Sequence, residues 1–383
     1  MSWPLAKLDN HVNILSGFAF KSENFNDRGE GLPLVRIRDV VPGVSETYYS
    51  GEYSSEFLLS DGDLLIGMDG DFNRARWSGG QALLNQRVCK VTAKDDSLDQ
   101  GYLYHFLPKA LEKIHAETPA VTVKHLSVKG IRAIEIPLPP LHEQKRIAAI
   151  LDKADAIRRK RQQAIQLADD FLRAVFLDMF GDPVTNPKGW NVVELSTLVD
   201  PDDKLNYGVV QPGDHEEDGV PLVRSGDLSD VTPDVSQLRR VSASIDSKHR
   251  KSKLKGNEIL IACVGTIGRV GWVSEAMIGW NIARAVTRIP IREGVNREYV
   301  YRYLQSPVVQ GYFERETRAV AQPTLNVGLI AKTPVALPPH NLQIAFLERY
   351  RTIQAYKERL LVALGAQDEL AGCLSQKAFA GQL

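Results

Sequence analysis

The stretch LPPLHEQKRIA at residues 138–148 has a second copy, LPPHNLQIAFL, at residues 337–347. With the same offset of 199 residues, 117–144 aligns without a gap on 316–343, and 11 of the 28 aligned positions are identical. Shorter matches lie upstream, where the sequence PLVR, for example, occurs once in each copy. A repeat of this length indicates that one structural unit occurs twice. We therefore predict two copies of one unit, at about residues 1–180 and 188–383.

Both copies have the same predicted order of secondary structure. Short apolar runs such as LPLVRI and EILIACVG alternate with clusters of Gly, Asp, Asn and Pro, a pattern typical of short strands joined by turns. Each copy then reaches two consecutive prolines, at 139–140 and 338–339. Proline disfavours helix in the residue before it and suits the first turn of a helix, so these pairs indicate an extended segment that enters a helix.

A long proline-free stretch follows each proline pair. Apolar residues step along it by alternating threes and fours, which is the heptad pattern of a packed helix. About 35 residues at roughly 1.5 Å each give a helix of roughly 50 Å. Arg161 and Lys357 interrupt the two seams, and we interpret them as setting the register or, alternatively, as extending outward to solvent. The seam positions predicted to make coiled-coil or partner contacts are Ile147, Ile150, Ile157, Arg161, Phe171, Phe346, Tyr350, Ile353, Leu360 and Leu364.

These features predict an α+β fold with two strand-rich domains related by a pseudo-two-fold axis. A long helix with a narrow apolar seam is not stable alone, so we expect the two helices to pair as an antiparallel coiled coil that separates the domains. The alternative is that each helix folds back on the core of its own unit. The predicted boundaries are 1–141 for the first domain, 142–180 for its helix, 181–190 for a linker, 191–340 for the second domain and 341–383 for its helix.

Composition limits the class of protein. Hydrophobic residues make up 43% and charged residues 25% of the 383 residues, an ordinary globular mixture. The three cysteines lie far apart, without the spacing of a disulfide framework or a zinc site. No signal pattern or membrane-spanning run occurs, so we expect a cytoplasmic protein. Lys plus Arg and Asp plus Glu number 47 each, so any attraction to nucleic acid has to come from local basic surfaces.

The sequence has no recognisable catalytic motif. It contains no H-E-x-x-H pair, no G-x-x-x-x-G-K-[ST] phosphate loop and no G-x-S-x-G nucleophile elbow. The stretch DGDFNRARWSGG at 69–80 begins like a calcium loop but lacks the required glycine and the final glutamate. The glycines of GTIGRVG at 265–271 are wrongly spaced for a dinucleotide fingerprint and indicate a turn between strands. We expect no metal site in this chain.

Loops that combine Gly with Arg and Lys are the candidates for function. Arginine can form a bidentate pair with a guanine edge, and lysine suits phosphate oxygens. The densest run, at 248–255, carries five Lys and Arg residues, although an ordinary basic turn is the alternative. Arg36 and Arg224 occupy equivalent repeat positions, so structural pairing with Asp39 and Asp227 is as good an explanation as base reading. The candidate DNA-binding residues are Arg36, Arg38, Arg74, Arg76, Arg224, Lys248, Arg250, Lys251, Arg269 and Arg318.

The segment IPLPPLHEQKRIAAILDKAD at 136–155, the two-fold repeat and the paired PLVR blocks closely resemble the DNA-specificity subunit of type I restriction-modification systems. The resemblance covers essentially the whole chain. It implies two target recognition domains that each read one half of a bipartite DNA sequence, with a nonspecific spacer set by the helices. It also implies two methyltransferase subunits that use S-adenosylmethionine to methylate adenine, and ATP-driven restriction subunits that require magnesium, as partners in phage defence. The resemblance further implies that this subunit has no catalytic site of its own and binds none of these cofactors.

Two other classes of function remain open at this point. A structural adaptor would use the coiled coil and the duplicated domains to bind proteins only. An enzyme with an unrecognised site, such as a methyltransferase or nuclease, would act on DNA without a partner. The sequence neither identifies the bases read nor fixes the spacer length, because readout also depends on loop geometry and on the deformability of the DNA.

Overall fold

The computed structural model describes residues 3–118, 124–182, 185–317 and 324–383. Along them, strand-rich segments alternate with long helices in an order that occurs twice. The strands are β1 (Leu5–Lys7), β2 (Val12–Ser16), β3 (Phe25–Asn26), β4 (Leu32–Val35), β5 (Tyr48–Tyr49), β6 (Leu58–Leu59), β7 (Leu64–Gly67), β8 (Arg74–Arg76), β9 (Ala82–Leu84), β10 (Val88–Ala93), β11 (Glu135–Pro137), β12 (Asn191–Glu194), β13 (Asn206–Tyr207), β14 (Val220–Val223), β15 (Arg240–Val241), β16 (Glu258–Ala262), β17 (Val270–Trp272), β18 (Asn281–Ile282), β19 (Val286–Pro290) and β20 (Pro334–Leu337). The α-helices are α1 (Ile37–Val40), α2 (Gln100–Glu117), α3 (Val128–Arg132), α4 (Leu141–Phe180), α5 (Ala243–Lys248), α6 (Arg297–Leu304), α7 (Pro307–Thr317), α8 (Val327–Ala331) and α9 (His340–Phe379).

The first of two structural units comprises residues 1–163 and 360–383. Its strands β2, β10, β7 and β8 form a four-stranded antiparallel sheet, β3, β5, β4, β9 and β6 form a second sheet, and β1 pairs with β11. Asp99 caps α2 by accepting the N–H of Tyr102 at 2.8 Å. Because Leu64 and Ile66 project from the same face of β7, they pack with Leu103 of α2 in the main core of this unit.

The second unit comprises residues 164–359. Strands β13, β19, β16 and β17 form a four-stranded antiparallel sheet, β15, β14 and β18 form a smaller sheet, and β12 pairs with β20. Asn296 caps α6 by accepting the N–H of Tyr299 at 3.1 Å. The core joins Ile259 and Ile261 of β16 to Tyr299 and Val300 of α6.

The internal repeat is confirmed at the level of single residues. Val88 lies opposite Gly67 in the first unit, and Val286 lies opposite Ala262 in the second. The α+β fold class, with two strand-rich parts and long helices, is confirmed as well.

The repeated LPP segment is a helix joint stabilised by a glutamine. In the first unit, the side chain of the buried Gln144 donates to the carbonyl of Pro139 at 2.8 Å. In the second, Gln343 donates to the carbonyl of Pro338 at 2.9 Å. Both glutamines lie five residues after the carbonyl that they bind, and they fix the angle at which the extended segment enters α4 and α9. Gln144 also accepts the N–H of Asp99 at 2.8 Å, so it ties the joint to the start of α2.

The two long helices run antiparallel to each other within each unit. In the first unit Arg158 contacts Asp368 at 2.9 Å, and in the second Lys357 contacts Asp169 at 2.5 Å. Residues 158 and 357, like 169 and 368, differ by the repeat offset of 199, so the two pairs are pseudo-symmetric equivalents. The predicted antiparallel pairing is therefore confirmed. The start of each helix also joins the core of its own unit, because Ile147 of α4 is buried in the first core and Phe346 of α9 is buried in the second.

Polar residues make specific contacts across the seam. Arg161 donates to the carbonyl of Ala363 at 2.7 Å and to Oε1 of Gln367 at 2.5 Å. The side-chain amide of Gln367 in turn donates to the carbonyl of Ala154 at 2.8 Å. Arg161 and Lys357 thus bind the facing helix rather than extending outward to solvent, which supports a role in setting the register.

Two of the predicted seam positions are exposed in this chain, and their predicted coiled-coil or partner contacts stay a prediction. Ile157 is 41% exposed and Phe171 is 58% exposed. A heptad repeat extrapolated along a straight helix drifts by about 20° per heptad, which moves such positions toward the edge of the interface. Phe171 accordingly borders an open groove with Val175 and Ile353. Phe346 is buried, and the other predicted seam positions Ile150, Tyr350, Ile353, Leu360 and Leu364 are half-buried.

Candidate nucleic-acid interface

The repeated PLVR sequence places an exposed arginine at the end of a strand in both units. Arg36 follows β4 and Arg224 follows β14. Each arginine donates its backbone N–H to the carboxylate of an aspartate three residues later. The N–H of Arg36 binds Oδ2 of Asp39 at 2.9 Å, and the N–H of Arg224 binds Oδ2 of Asp227 at 2.9 Å. The guanidinium of Arg224 also pairs with Asp227 through two hydrogen bonds, which raise the pKa of Arg224. The predicted pairing with these aspartates is therefore present, through the backbone in both units and through the side chain at Arg224.

Two further exposed arginines of the candidate set lie near these strand ends. Arg38 lies in α1, where its Nη2 donates to Thr47 Oγ1 at 3.2 Å and its Nε lies 3.6 Å from Asp39 Oδ1. Arg269 lies in the hairpin between β16 and β17, and its Nη1 donates weakly to the carbonyl of Gly226 at 3.4 Å. Gly265 and Gly268 of GTIGRVG thus lie in the turn between strands that the sequence indicated, and Gly271 lies in β17. Arg318 lies outside the described residues.

Arg74 and Arg76 are held against the first unit's own helices. They project from the same face of β8, and both guanidinium groups stack on the ring of Tyr104, at 3.6 Å and 4.2 Å from its centroid. Burial lowers the pKa of Arg74, although Tyr104 opposes the effect. Arg76 also forms an ion pair with Asp152 of α4 at 2.8 Å, and His105 contacts the same carboxylate at 2.8 Å. These contacts give both arginines a packing role, and their predicted role in DNA binding stays a prediction.

The basic run at 248–255 separates into anchored and free side chains. Lys253 pairs with the buried Asp246 at 2.7 Å, and Lys255 pairs with Asp203 at 2.9 Å. Lys248, Arg250 and Lys251 are exposed, and among the described residues their side chains form no hydrogen bond or ion pair. The three free cations are the members of this run that are available to a polyanion.

A buried ion cluster fixes the backbone of this run. Arg288 is fully buried in β19 and binds Glu258 of β16, also fully buried, at 2.7 Å. It binds Asp203 as well, and its Nη1 donates to the carbonyl of Lys251 at 2.7 Å. Burial alone would raise the pKa of Asp203, but hydrogen bonds from Arg288 and Lys255 outweigh it and hold that pKa below its usual range. The basic run is thus preorganised by charges that the sequence analysis did not single out.

Two exposed arginines near the strand ends were missed by sequence reasoning. Arg87 precedes β10 in the first unit, and Arg284 precedes β19 in the second. Neither lies in a glycine-rich loop, and the repeat is too weak there to align the two segments by sequence. Only the strand register brings them to comparable positions.

The described part of the chain contains no helix with both the length and the apolar character needed to cross a membrane.

The family model of the type I restriction modification DNA specificity domain matches residues 2–167 and again residues 187–358.

Similar proteins support the same family. The chain is 37% identical over 410 residues to the type I restriction enzyme EcoBI specificity subunit of Escherichia coli, covering 100% of this chain and 86% of that protein. It is 21% identical over 428 residues to the EcoKI specificity subunit of Escherichia coli K12, covering 100% and 89%. The crystal structure of a type I restriction-modification S subunit from M. genitalium shares the fold, with a TM-score of 0.60 at 15% identity and coverage of 99% and 96%. The chain belongs to the type I restriction-modification DNA specificity family.

Proposed function

We propose that this chain is the DNA sequence-recognition subunit of a type I restriction-modification complex, in which each strand-rich part reads one half of a bipartite target. The single observation that carries the proposal is the duplication of the strand-end surface. In both units an exposed arginine, Arg36 or Arg224, follows the equivalent strand and has its backbone fixed by an aspartate. Two strand ends with the same fixed backbone but different surrounding side chains suit two different half-sequences.

The long helices have the proposed roles of setting the spacer and binding methyltransferase subunits. Large apolar side chains remain uncovered along them, among which Leu167 is 66% exposed, Val362 is 76% exposed and Leu370 is 58% exposed. A contiguous exposed apolar patch marks a site for protein partners, and these side chains are the candidates to form one along the helices. We propose two methyltransferase subunits and additional restriction subunits as partners, with S-adenosylmethionine, ATP and magnesium bound by those partners.

Catalysis is assigned to the partners in this proposal. The sequence carries none of the catalytic motifs sought, and relatives are named as specificity subunits. The relatives give no support to the alternative of a protein-binding adaptor without DNA specificity. Incubation of the isolated chain with DNA and labelled S-adenosylmethionine tests the assignment, because label transfer without a partner would contradict it.

Removal of the three free cations of the basic run is expected to weaken the salt dependence of DNA binding. Each phosphate contact contributes about 0.9 to the slope of log affinity against log salt, so Lys248→Ala, Arg250→Ala and Lys251→Ala together should reduce the slope by about 2 to 3. The measurement is fluorescence anisotropy with a labelled random-sequence duplex over a salt series. A control variant removes the same charge from exposed residues elsewhere in the second unit, with Arg292, Arg315 and Lys332 replaced by alanine. Equal slopes for the two triple variants would show that the basic run does not bind phosphate.

A further inference from the structure

The same short loop joins the two sheets in both units. Residues 85–87 connect β9 to β10 in the first unit, and residues 283–285 connect β18 to β19 in the second. Both loops are bound by the short segment that follows β2 in the first unit and β13 in the second. The N–H of Gln86 donates to the carbonyl of Phe18 at 2.8 Å, and the N–H of Arg284 donates to the carbonyl of Val209 at 2.8 Å. Equivalent backbone hydrogen bonds therefore hold the loop in both units.

Each loop lies beside the strand end that carries the exposed PLVR arginine. The N–H of Asn85 donates to the carbonyl of Val35, the residue before Arg36, at 3.3 Å. The N–H of Ala283 likewise donates to the carbonyl of Val223 at 2.9 Å. The loop thus belongs to the same face as the strand-end arginine in each unit.

The first unit presents an arginine with a fixed orientation on this loop. Arg87 has a φ of 72°, a left-handed conformation that is uncommon for any residue other than glycine. Its Nη1 lies 3.2 Å from Nδ1 of His125 and 3.7 Å from Oδ1 of Asp69, while its side chain remains 55% exposed. Strained backbone of this kind is concentrated at functional sites. The Asp69 carboxylate beside the guanidinium reduces the attraction of Arg87 to phosphate, and the exposed part of the side chain can still donate hydrogen bonds to a ligand.

The second unit presents an arginine one position earlier on its loop. Arg284 is exposed and, among the described residues, its side chain forms no ion pair or hydrogen bond. It lines an open cleft of about 820 Å³ together with Tyr207, Val264 and Asn326. Tyr207 is 56% exposed, so the cleft offers an aromatic face beside a free cation. That combination suits a base edge with its neighbouring sugar or methyl group.

We propose that Arg87 and Arg284 are specificity-determining DNA contacts, one in each domain. The proposal rests on the proposed function and names residues that carry it out. Both arginines lie on the equivalent loop, but at different positions along it. This difference is expected of two domains that recognise different half-sequences. A planar guanidinium binds the edge of guanine in the major groove through two parallel hydrogen bonds, and a lysine cannot replace that geometry.

The test selects DNA from a pool of random-sequence duplexes with the full chain in complex with its methyltransferase subunits. Arg87→Gly removes the side chain and tolerates the positive φ. Arg87→Lys keeps the charge but lacks the planar guanidinium. Arg284→Ala removes the second arginine. We expect Arg87→Gly and Arg87→Lys to reduce base discrimination by about 10-fold to 100-fold within one half-site, and Arg284→Ala to do so within the other. Lys94→Ala and Arg292→Ala are matched controls, because these exposed residues follow the far ends of β10 and β19.

The outcomes separate the inference from the function on which it rests. If the unaltered complex enriches no sequence, the proposed function is wrong. If it enriches a bipartite sequence and the Arg87→Gly and Arg284→Ala variants enrich the same sequence equally strongly, the inference is overturned while the function stands. Full discrimination by Arg87→Lys would overturn the assignment of a bidentate guanidinium contact, because a single ammonium group would then be sufficient.

Discussion

Alanine in place of Arg288 is expected to destabilise the second unit by about 3–5 kcal/mol, because it leaves a buried carboxylate without its counter-ion. Glu258 is fully buried, and among the described residues its hydrogen-bond partners besides Arg288 are the backbone N–H groups of Lys255 and Gly256, both at 2.8 Å. Removal of the guanidinium also releases the carbonyl of Lys251, which Arg288 holds at 2.7 Å. The measurement is hydrogen exchange of the β19 amides, which reports the free energy of opening of this unit alone.

Lys90 provides the matched control within the same chain. It occupies the equivalent position on β10, and it pairs with Asp63 at 3.0 Å. The side chains of Lys90 and Asp63 are 24% and 21% exposed, so water can solvate the carboxylate that is left without its partner. We expect Lys90→Ala to cost about 1 kcal/mol at most, measured by exchange of the β10 amides. Equal losses for the two variants would show that burial does not determine the strength of these pairs.

The cluster around Arg288 also predicts the direction of a pH effect. The pKa of Asp203 is held below its usual value in the folded unit, so this carboxylate stabilises the unit above pH about 4. That stabilisation is lost as the pH falls through the depressed pKa. Because Arg288 is one of the two causes of the depression, this part of the acid sensitivity should diminish in the Arg288→Ala variant.

Alanine in place of Gly208 is expected to destabilise the second unit by about 3 kcal/mol or more. A Cβ atom there would lie 1.7 Å from the carbonyl oxygen of Ile282, which no side-chain rotation relieves. The backbone cannot withdraw easily, because the N–H of Val209 donates to that carbonyl at 2.7 Å. Overpacking in a fixed environment costs about 1–3 kcal/mol and occasionally more. Exchange of the β19 amides measures the loss, and Gly17→Ala should act likewise in the first unit, where the Cβ atom would lie 2.0 Å from Asn85 O.

Gly365 is the matched control for this prediction. It lies within α9, and a Cβ atom there would have no neighbour within 4 Å. Alanine at this position should stabilise the helix by about 0.5–1 kcal/mol, because it reduces the conformational freedom of the unfolded chain. A loss of stability at Gly365 comparable to that at Gly208 would contradict the close-approach explanation.

The local pattern of the sequence was sufficient to predict the repeat and the long helices. The LPP copies share the residue types that build the joint, namely the prolines and the glutamine that binds back to them. Contacts between distant residues were not predictable in the same way. Arg76 binds Asp152, 76 residues away in the sequence, so its partner is determined by tertiary packing that no local pattern encodes.

The equivalence of the loop arginines Arg87 and Arg284 was also not predictable from the sequence. The segments 83–91 and 281–289 share only one identical residue, the valine that begins β10 and β19, so their equivalence was invisible before the strand register was known. The basic run was visible as a charge pattern. Its division into anchored and free side chains depends on Asp246 and Asp203, whose positions only the fold specifies.

The most direct test of DNA sequence recognition by this chain is a genome-wide map of methylated adenines in a bacterial host. The host carries the methyltransferase subunits either with or without this chain. We predict that methylation appears only with the chain, always within one bipartite sequence whose two halves are separated by a spacer of fixed length and variable composition. An identical map in its absence, or methylation within a single uninterrupted sequence, would contradict the account.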